Sequence, residues 1–160
     1  MRYITTLLAT LLLAVGLSTQ ALAAADAYDR QKVVYHINYD DPKKQSGALR
    51  NIQNHINAVG AENLDLKVVL HGNGLALLLE PEALPRLPKF KHANATEQMT
   101  ARIDNLRNQG VSFNVCANTV KGRNVNMDTD LYHVEASDIV PSGVAELAKL
   151  QGQGYVYIKP

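Results

Sequence analysis

The feature that most constrains the fold of this sequence is a regular alternation of two apolar patterns. Short runs rich in β-branched and apolar residues, typical of strands, alternate with stretches in which apolar residues recur at three- and four-residue steps, typical of helices. No convincing hairpin signal joins one strand-like run to the next. Since parallel strands are joined by crossover helices, the alternation predicts an α/β fold, with a mostly parallel sheet and helices on both faces.

The pattern places the individual elements as follows. Strands are predicted at residues 32–39, 64–70, 111–115, 138–140 and 154–158, and helices from Pro42 to a capping Gly60, at 96–109, near 128–132 and from Ser142 onward. Residues 75–79 are too few to assign, and residues 81–95, with three prolines, are predicted to be an irregular connection.

The first 23 residues have the pattern of a secretory signal peptide. Arg2 is followed by an apolar run at residues 7–17 and by a small-x-small cleavage site at residues 21–23. The run is roughly a dozen residues, shorter than the ~20 that a membrane-spanning helix needs, so we expect cleavage after Ala23; the alternative is an uncleaved anchor. The prediction is a periplasmic protein with no membrane attachment after cleavage.

Cleavage would leave a short flexible tail at residues 24–31 and a single domain at residues 32–160. Of the 16 Lys and Arg residues only Arg2 lies in the signal, which leaves 15 basic against 15 acidic residues in the mature chain. This balance gives no electrostatic case for a nucleic-acid or anionic-lipid partner.

Cys116 is the only cysteine in the sequence, so no internal disulfide is possible and the core alone must hold the fold. The residue is either a small buried hydrophobe or a thiol kept for chemistry. A third alternative is an intermolecular disulfide in an oxidising compartment.

Polar residues follow three of the predicted strands, where the carboxyl ends of a parallel sheet place binding and catalytic sites. The candidate site residues are Asn38 after the first strand, His71, Gly72, Asn73 and Gly74 after the second, and Cys116, Asn118 and Thr119 after the third.

Cys116, His71 and the two glycines each have a chemical rationale. A thiol at a strand end, near helix N-termini and backbone N–H groups, favours the nucleophilic thiolate, provided that it is exposed at the rim of the sheet. The glycines of the 71–74 segment suit a backbone anion cradle. His71 is a candidate to donate to Cys116 or to accept its proton, or a structural residue.

Other site types are disfavoured. A Cys116–His71 metal site has too few ligands, so we predict no metal and no cofactor. The sequence has no P-loop, no G-x-S-x-G elbow, no GxGxxG after a first strand and no C-x-x-C pair.

Several segments resemble the DsrE/DsrF-like proteins of sulfur-relay chemistry, in particular their exported, signal-bearing branch. These segments are HIN with DP at residues 36–42, LHGNG at 70–74, GV and VCANT between 110 and 119, VPSGVAEL at 140–147 and LQGQGY at 150–155. The resemblance covers nearly the whole mature chain.

The resemblance implies a three-layer α/β/α fold with a parallel five-stranded sheet and a homo-oligomeric assembly. In the cytoplasmic members a loop cysteine carries sulfur as a persulfide, and here that role would fall on Cys116. Because this chain is predicted to be exported, the usual partner subunits are not implied.

Two functions from different classes follow. The first is a periplasmic sulfur-binding or sulfur-transfer protein, a possible sulfurtransferase, that takes sulfane sulfur onto Cys116 from a small sulfur-containing donor or a sulfur-relay protein. The second is a non-catalytic oligomeric module that binds a small anion or a protein, with Cys116 buried and inert.

Overall fold

The computed structural model describes residues 28–160, so the predicted signal peptide at 1–23 and residues 24–27 of the predicted tail lie outside it. Within that part of the chain the strands are β1 (Gln31–Ile37), β2 (Leu64–Leu70), β3 (Ser112–Cys116), β4 (Ile139–Val140) and β5 (Val156–Ile158). The α-helices are α1 (Pro42–Val59), α2 (Glu97–Asn108), α3 (Ala117–Gly122), α4 (Met127–Asp130) and α5 (Gly143–Gly152). Short 3-10 helices lie at Ala61–Asn63, Gly72–Leu77, Pro81–Arg86 and Ala136–Asp138.

The five strands form one sheet in the order β4-β3-β2-β1-β5, and every neighbouring pair is parallel. Ile37 is in register with Leu70, and Leu70 with Val115, so β1, β2 and β3 end at the same edge. The predicted parallel sheet is confirmed, and its carboxyl edge brings together the residues that follow three strands.

Helices cover both faces of the sheet and give three layers. On one face the side chains of Tyr35, Val68 and Phe113 belong to a large core shared with α1 and α2. On the other face Val34 and Val69 form a smaller cluster with three residues of or next to α5, namely Leu147, Leu150 and Tyr155. The predicted three-layer α/β/α architecture is therefore confirmed.

The start and the end of α1 are fixed by the residues that the sequence indicates. The Asp41 carboxylate accepts a hydrogen bond from the Lys44 N–H at 2.8 Å, and Pro42 occupies the first turn. Gly60 ends the helix with a φ of +88°, a backbone conformation that glycine adopts without strain.

β1 ends at Ile37, two residues earlier than predicted, because β2 ends at the paired Leu70 and offers no further ladder partner. The carbonyl of Tyr39 is instead bound by the side chain of Gln45 at 2.6 Å. The predicted bounds of β2 are reproduced, and the other predicted strand and helix boundaries differ by at most two residues.

The segment that could not be assigned from sequence, residues 75–79, begins as part of the 3-10 helix Gly72–Leu77. All five of its side chains are completely buried. It is therefore a part of the core rather than a surface connection. Among residues 28–160, no helix has the length and apolar character needed to cross a membrane.

Candidate functional site

Cys116 is the last residue of β3 and the N-cap of α3. It is only 5% exposed, so the predicted exposure of this residue at the rim is wrong. The reason is the start of α5, where a β-carbon added to Gly143 would lie 3.3 Å from the β-carbon of Cys116. Cys116 nevertheless lines a shallow cavity of about 410 Å³ that opens at the surface.

The pKa of the Cys116 thiol is lowered from its ordinary value, although burial by itself raises it. Four hydrogen-bond donors together outweigh the effect of burial. In decreasing order of size they are the Gly143 N–H, the Thr119 hydroxyl, and the N–H groups of Thr119 and Asn118. The Cys116 sulfur does not accept a capping hydrogen bond of full geometry from α3, so these groups act together as a set of dipoles around the sulfur.

The position of Thr119 explains why its hydroxyl proton is available to the sulfur. The Gly72 N–H donates to Thr119 Oγ1 at 2.8 Å. Since that oxygen accepts from Gly72, its own proton points elsewhere, and Cys116 is the acceptor beside it.

Two cations stand at the cavity wall. The Arg123 guanidinium lies 4.3 Å from the centroid of the Phe90 ring and donates to Asn73 Oδ1 at 2.6 Å and to the Lys89 carbonyl at 2.8 Å. Lys89 Nζ donates to the carbonyl of Gly122 at 2.6 Å. Both side chains are held in place, so the cavity presents fixed positive charge to an entering ligand.

His71 also lines the cavity, but the ring is hydrogen bonded to His36 and not to Cys116. The two Nε2 atoms are 2.7 Å apart, and the ring centroids are 4.7 Å apart with planes at 20°. The centroid separation exceeds the N–N distance by about two ring radii. The rings therefore meet through their facing nitrogens with nearly parallel planes, which is a hydrogen-bond contact rather than stacking of one face on the other.

The chain of contacts continues on the far side of His36, where Nδ1 lies 2.6 Å from the hydroxyl of Tyr157 in β5. Burial lowers the pKa of His36 to about 4, with smaller contributions from His71 and Lys159. Burial also lowers the pKa of His71, and Lys159 adds to the effect. Both imidazoles are therefore neutral at pH 7.

The 71–74 segment does not offer a free backbone cradle. The Gly72 N–H is bound by Thr119, and the Gly74 N–H donates to the carbonyl of His71 at 3.0 Å. Gly72 has the positive φ that the sequence suggested, +56°, but Gly74 does not. Gly74 is required for another reason, because a β-carbon there would lie 1.9 Å from the carbonyl oxygen of Ile37.

The remaining predicted residues divide between two places. Asn118 and Thr119 line the cavity with Cys116, whereas Asn73 acts on it through Arg123. Asn38 lines a different cavity, of about 480 Å³, together with Tyr39 and Lys159.

Among the residues of this region that sequence reasoning missed are His36, Tyr157, Arg123 and Gly143. Only His36 had a usable signal, since it lies two residues after Val34 and so shares a face of β1 with it. The other three come close through sheet order and loop packing, which single-sequence patterns do not encode. Within the described part of the chain, no group of three or more His, Cys, Asp or Glu side chains is arranged to hold a metal ion.

Comparisons with known proteins show which family the chain matches. The sequence profile of the DsrE/DsrF-like family matches residues 31–160. A solved structure of a protein of unknown function from Methanobacterium thermoautotrophicum is similar, with a TM-score of 0.63 and 25% sequence identity over 81% of this chain and 99% of that chain. No curated protein matches the chain.

Proposed function

The chain belongs to the DsrE/DsrF-like family, and from this premise we propose that it binds or transfers sulfane sulfur, which it carries as a persulfide on Cys116. The proposal rests on the surroundings of the Cys116 thiol. Its pKa is lowered by surrounding hydrogen-bond donors, and it forms part of the wall of a surface cavity. A thiolate is the nucleophilic form of cysteine, and a cavity of about 410 Å³ has room for a small sulfur donor.

The fixed cations favour an anionic donor. Lys89 and Arg123 line the same cavity as Cys116, and both are held by hydrogen bonds to neighbouring carbonyls. Two anions, a thiolate and its donor, repel each other, and positive charge beside them reduces that repulsion. Thiosulfate and polysulfide are donors of this class.

With thiosulfate the transfer step needs no oxidant or reductant from outside. The Cys116 thiolate attacks the outer sulfur of thiosulfate, and a new S–S bond forms. The S–S bond of thiosulfate breaks, and its electron pair leaves with sulfite. Cys116 is left as a persulfide anion, and the total charge is unchanged. The surrounding N–H groups that favour the thiolate would also stabilise this anion.

Intact-mass spectrometry tests the proposal. After incubation with thiosulfate or polysulfide and removal of excess donor, the protein should gain roughly 32 Da for one sulfur atom, and dithiothreitol should remove the gain. Cys116→Ser is the matched control, since it keeps the size of the side chain, and it should show no gain. An unmodified wild-type protein with both donors would contradict the proposal.

The proposed location is the periplasm, and the support for it is the sequence pattern of residues 1–23. In that compartment the donor would be a small sulfur compound or an exported sulfur-relay protein. A homo-oligomeric assembly is part of the proposal because of the family.

One observation favours the alternative function, a non-catalytic module that binds a small anion or a protein. Cys116 is 5% exposed, which is the burial expected of an inert cysteine. Titration with a small thiol reagent under native conditions separates the two functions. Reaction of the native protein supports sulfur transfer, whereas reaction only after denaturation supports the binding module.

A further inference from the structure

A row of hydrogen-bonded side chains runs along the sheet toward the Cys116 cavity. Tyr157 lies in β5, His36 in β1 and His71 directly after β2, and these strands are adjacent. Tyr157 is in register with Val34, so it shares a face of the sheet with His36. The row thus begins at the edge strand and ends at the cavity that Cys116 lines.

The contacts are short and continuous. The Tyr157 hydroxyl is 2.6 Å from His36 Nδ1, and His36 Nε2 is 2.7 Å from His71 Nε2. The two histidine rings are nearly parallel and approach each other through their Nε2 atoms, so one ring can donate to the other along the row. Tyr157 is 39% exposed, which gives the outer end access to solvent.

The inner end of the row is the second ring nitrogen of His71. Within residues 28–160 no group forms a hydrogen bond to His71 Nδ1, and no buried side-chain nitrogen or oxygen there lacks a partner. Because Nδ1 has no partner, it must be accessible to solvent. His71 lines the Cys116 cavity, and Nδ1 is the ring nitrogen that the contact with His36 leaves unengaged.

The charges around the row favour a neutral state. Lys159 is the charged group that acts on both imidazoles, and Lys89 and Arg123 line the cavity at the inner end. All three are cations, and they oppose a lasting positive charge on either ring. A neutral row can still move a proton if both rings change tautomer together.

From this geometry we propose that Tyr157, His36 and His71 form a proton path between solvent and the Cys116 cavity. The proposal rests on the proposed sulfur transfer, because the path would supply the proton that the leaving group of some sulfur donors needs. When an organic persulfide gives up its outer sulfur, the leaving group is an alkyl thiolate, which is a stronger base than the sulfite released from thiosulfate. Proton transfer to that thiolate as it leaves assists the reaction.

The Cys116 thiolate attacks the outer sulfur of R–S–SH, the S–S bond breaks, and the R–S⁻ leaving group takes the proton from His71 Nδ1. His71 Nε2 takes the proton of His36 Nε2, and His36 Nδ1 takes the proton of Tyr157. Solvent then reprotonates the Tyr157 oxygen, and the row ends neutral in the opposite pair of tautomers.

Two donors and three variants test the path. The rate of persulfide formation on Cys116 is measured by mass spectrometry with glutathione persulfide and with thiosulfate, for Tyr157→Phe and His36→Gln. His55→Gln is the matched control, since His55 is also hydrogen bonded to a tyrosine, Tyr35, but lies on α1 away from the cavity. Circular dichroism establishes that each variant is folded.

The expected result is a fall of about tenfold or more in the ratio of the persulfide rate to the thiosulfate rate for both path variants, a modest part of the typical general-acid contribution. His55→Gln should keep the wild-type ratio. Equal losses with the two donors, or no loss, would overturn the path while leaving sulfur transfer in place.

A second readout decides the path even if wild-type protein accepts no sulfur, the outcome that overturns the proposed function. Nitrogen-15 spectra of the histidine rings report the tautomers. The path predicts that Tyr157→Phe shifts the ring nitrogens of His71 as well as those of His36. If His71 is unaffected, the row is not coupled and the path is overturned.

Discussion

Cys116 combines two properties that usually oppose each other, burial and an acidic thiol. Burial alone raises the pKa of a cysteine, yet the N–H of Gly143 and the donors at the start of α3 lower it. The acidity therefore depends on a few identifiable hydrogen-bond donors, and each can be altered separately.

Replacing Thr119 with Val should raise the pKa of the Cys116 thiol, because it removes the hydroxyl that donates to the sulfur. The rate of alkylation by iodoacetamide at pH 7 should fall about two- to tenfold, since one pKa unit is a tenfold change in thiolate at low occupancy. The measurement is the alkylation rate as a function of pH. Thr100→Val is the control, because the Thr100 hydroxyl bonds to the Glu97 carbonyl away from the cavity. Equal pH profiles for Thr119→Val and wild type would contradict the assignment.

The lowered pKa of His36 should make the free energy of unfolding depend on pH. Its pKa in the folded protein is about 4, mainly because of burial, against 6.5 for the ordinary imidazole. Between these two values the unfolded chain binds more protons than the folded one, so the free energy of unfolding should fall as the pH is lowered through that window. Urea unfolding at several pH values measures the slope. His36→Gln should flatten it, and an unchanged slope would show that His36 is not the group responsible.

At the scale of elements, two close approaches fix the site. The first residue of α5, Gly143, packs against both His71 and Cys116, because a β-carbon there would lie 2.8 Å and 3.3 Å from their β-carbons. Gly74 brings the 3-10 helix Gly72–Leu77 against the end of β1. Both glycines are required by space and not by a positive φ.

Gly74→Ala should destabilise the fold by about 3 kcal/mol, the upper part of the usual range for overpacking, because the new methyl group would meet the carbonyl of Ile37. Gly152→Ala is the matched control. No atom lies within 4 Å of a β-carbon at Gly152, and alanine should stabilise the end of α5 by about 0.5 kcal/mol. The measurement is the midpoint of denaturant unfolding. Equal midpoints for the two variants would contradict the packing argument.

At the scale of the whole molecule, the sequence predicts the layers better than the site. Local patterns suffice for α1, where Asp41 and Gly60 mark the ends, and for β2, whose bounds of 64–70 are reproduced in the structure. The pairing of His36 with His71 depends on which strands are neighbours, and no local pattern specifies strand order. The covering of Cys116 by α5 likewise depends on where a helix distant in sequence comes to lie.

The predicted signal peptide determines where the protein is found and which residue is its first after cleavage, and both can be measured directly. Protein expressed from the full sequence in a bacterium should be recovered from the periplasmic fraction with Ala24 as its first residue. Intact mass and N-terminal sequencing provide the measurement. Retention of residues 1–23 in a membrane fraction would indicate an uncleaved anchor instead.

The order of the strands has a consequence for assembly. β5, the last strand of residues 28–160, pairs with β1, which is the first strand of the same range. The contact between Tyr157 and His36 spans 121 residues, so it can form only after β5 has been made and has paired with β1. A chain cut short before β5 would retain the four other strands and Cys116 but would lack the outermost member of the row. The row of Tyr157, His36 and His71 is therefore complete only in a chain in which β5 is present and paired with β1.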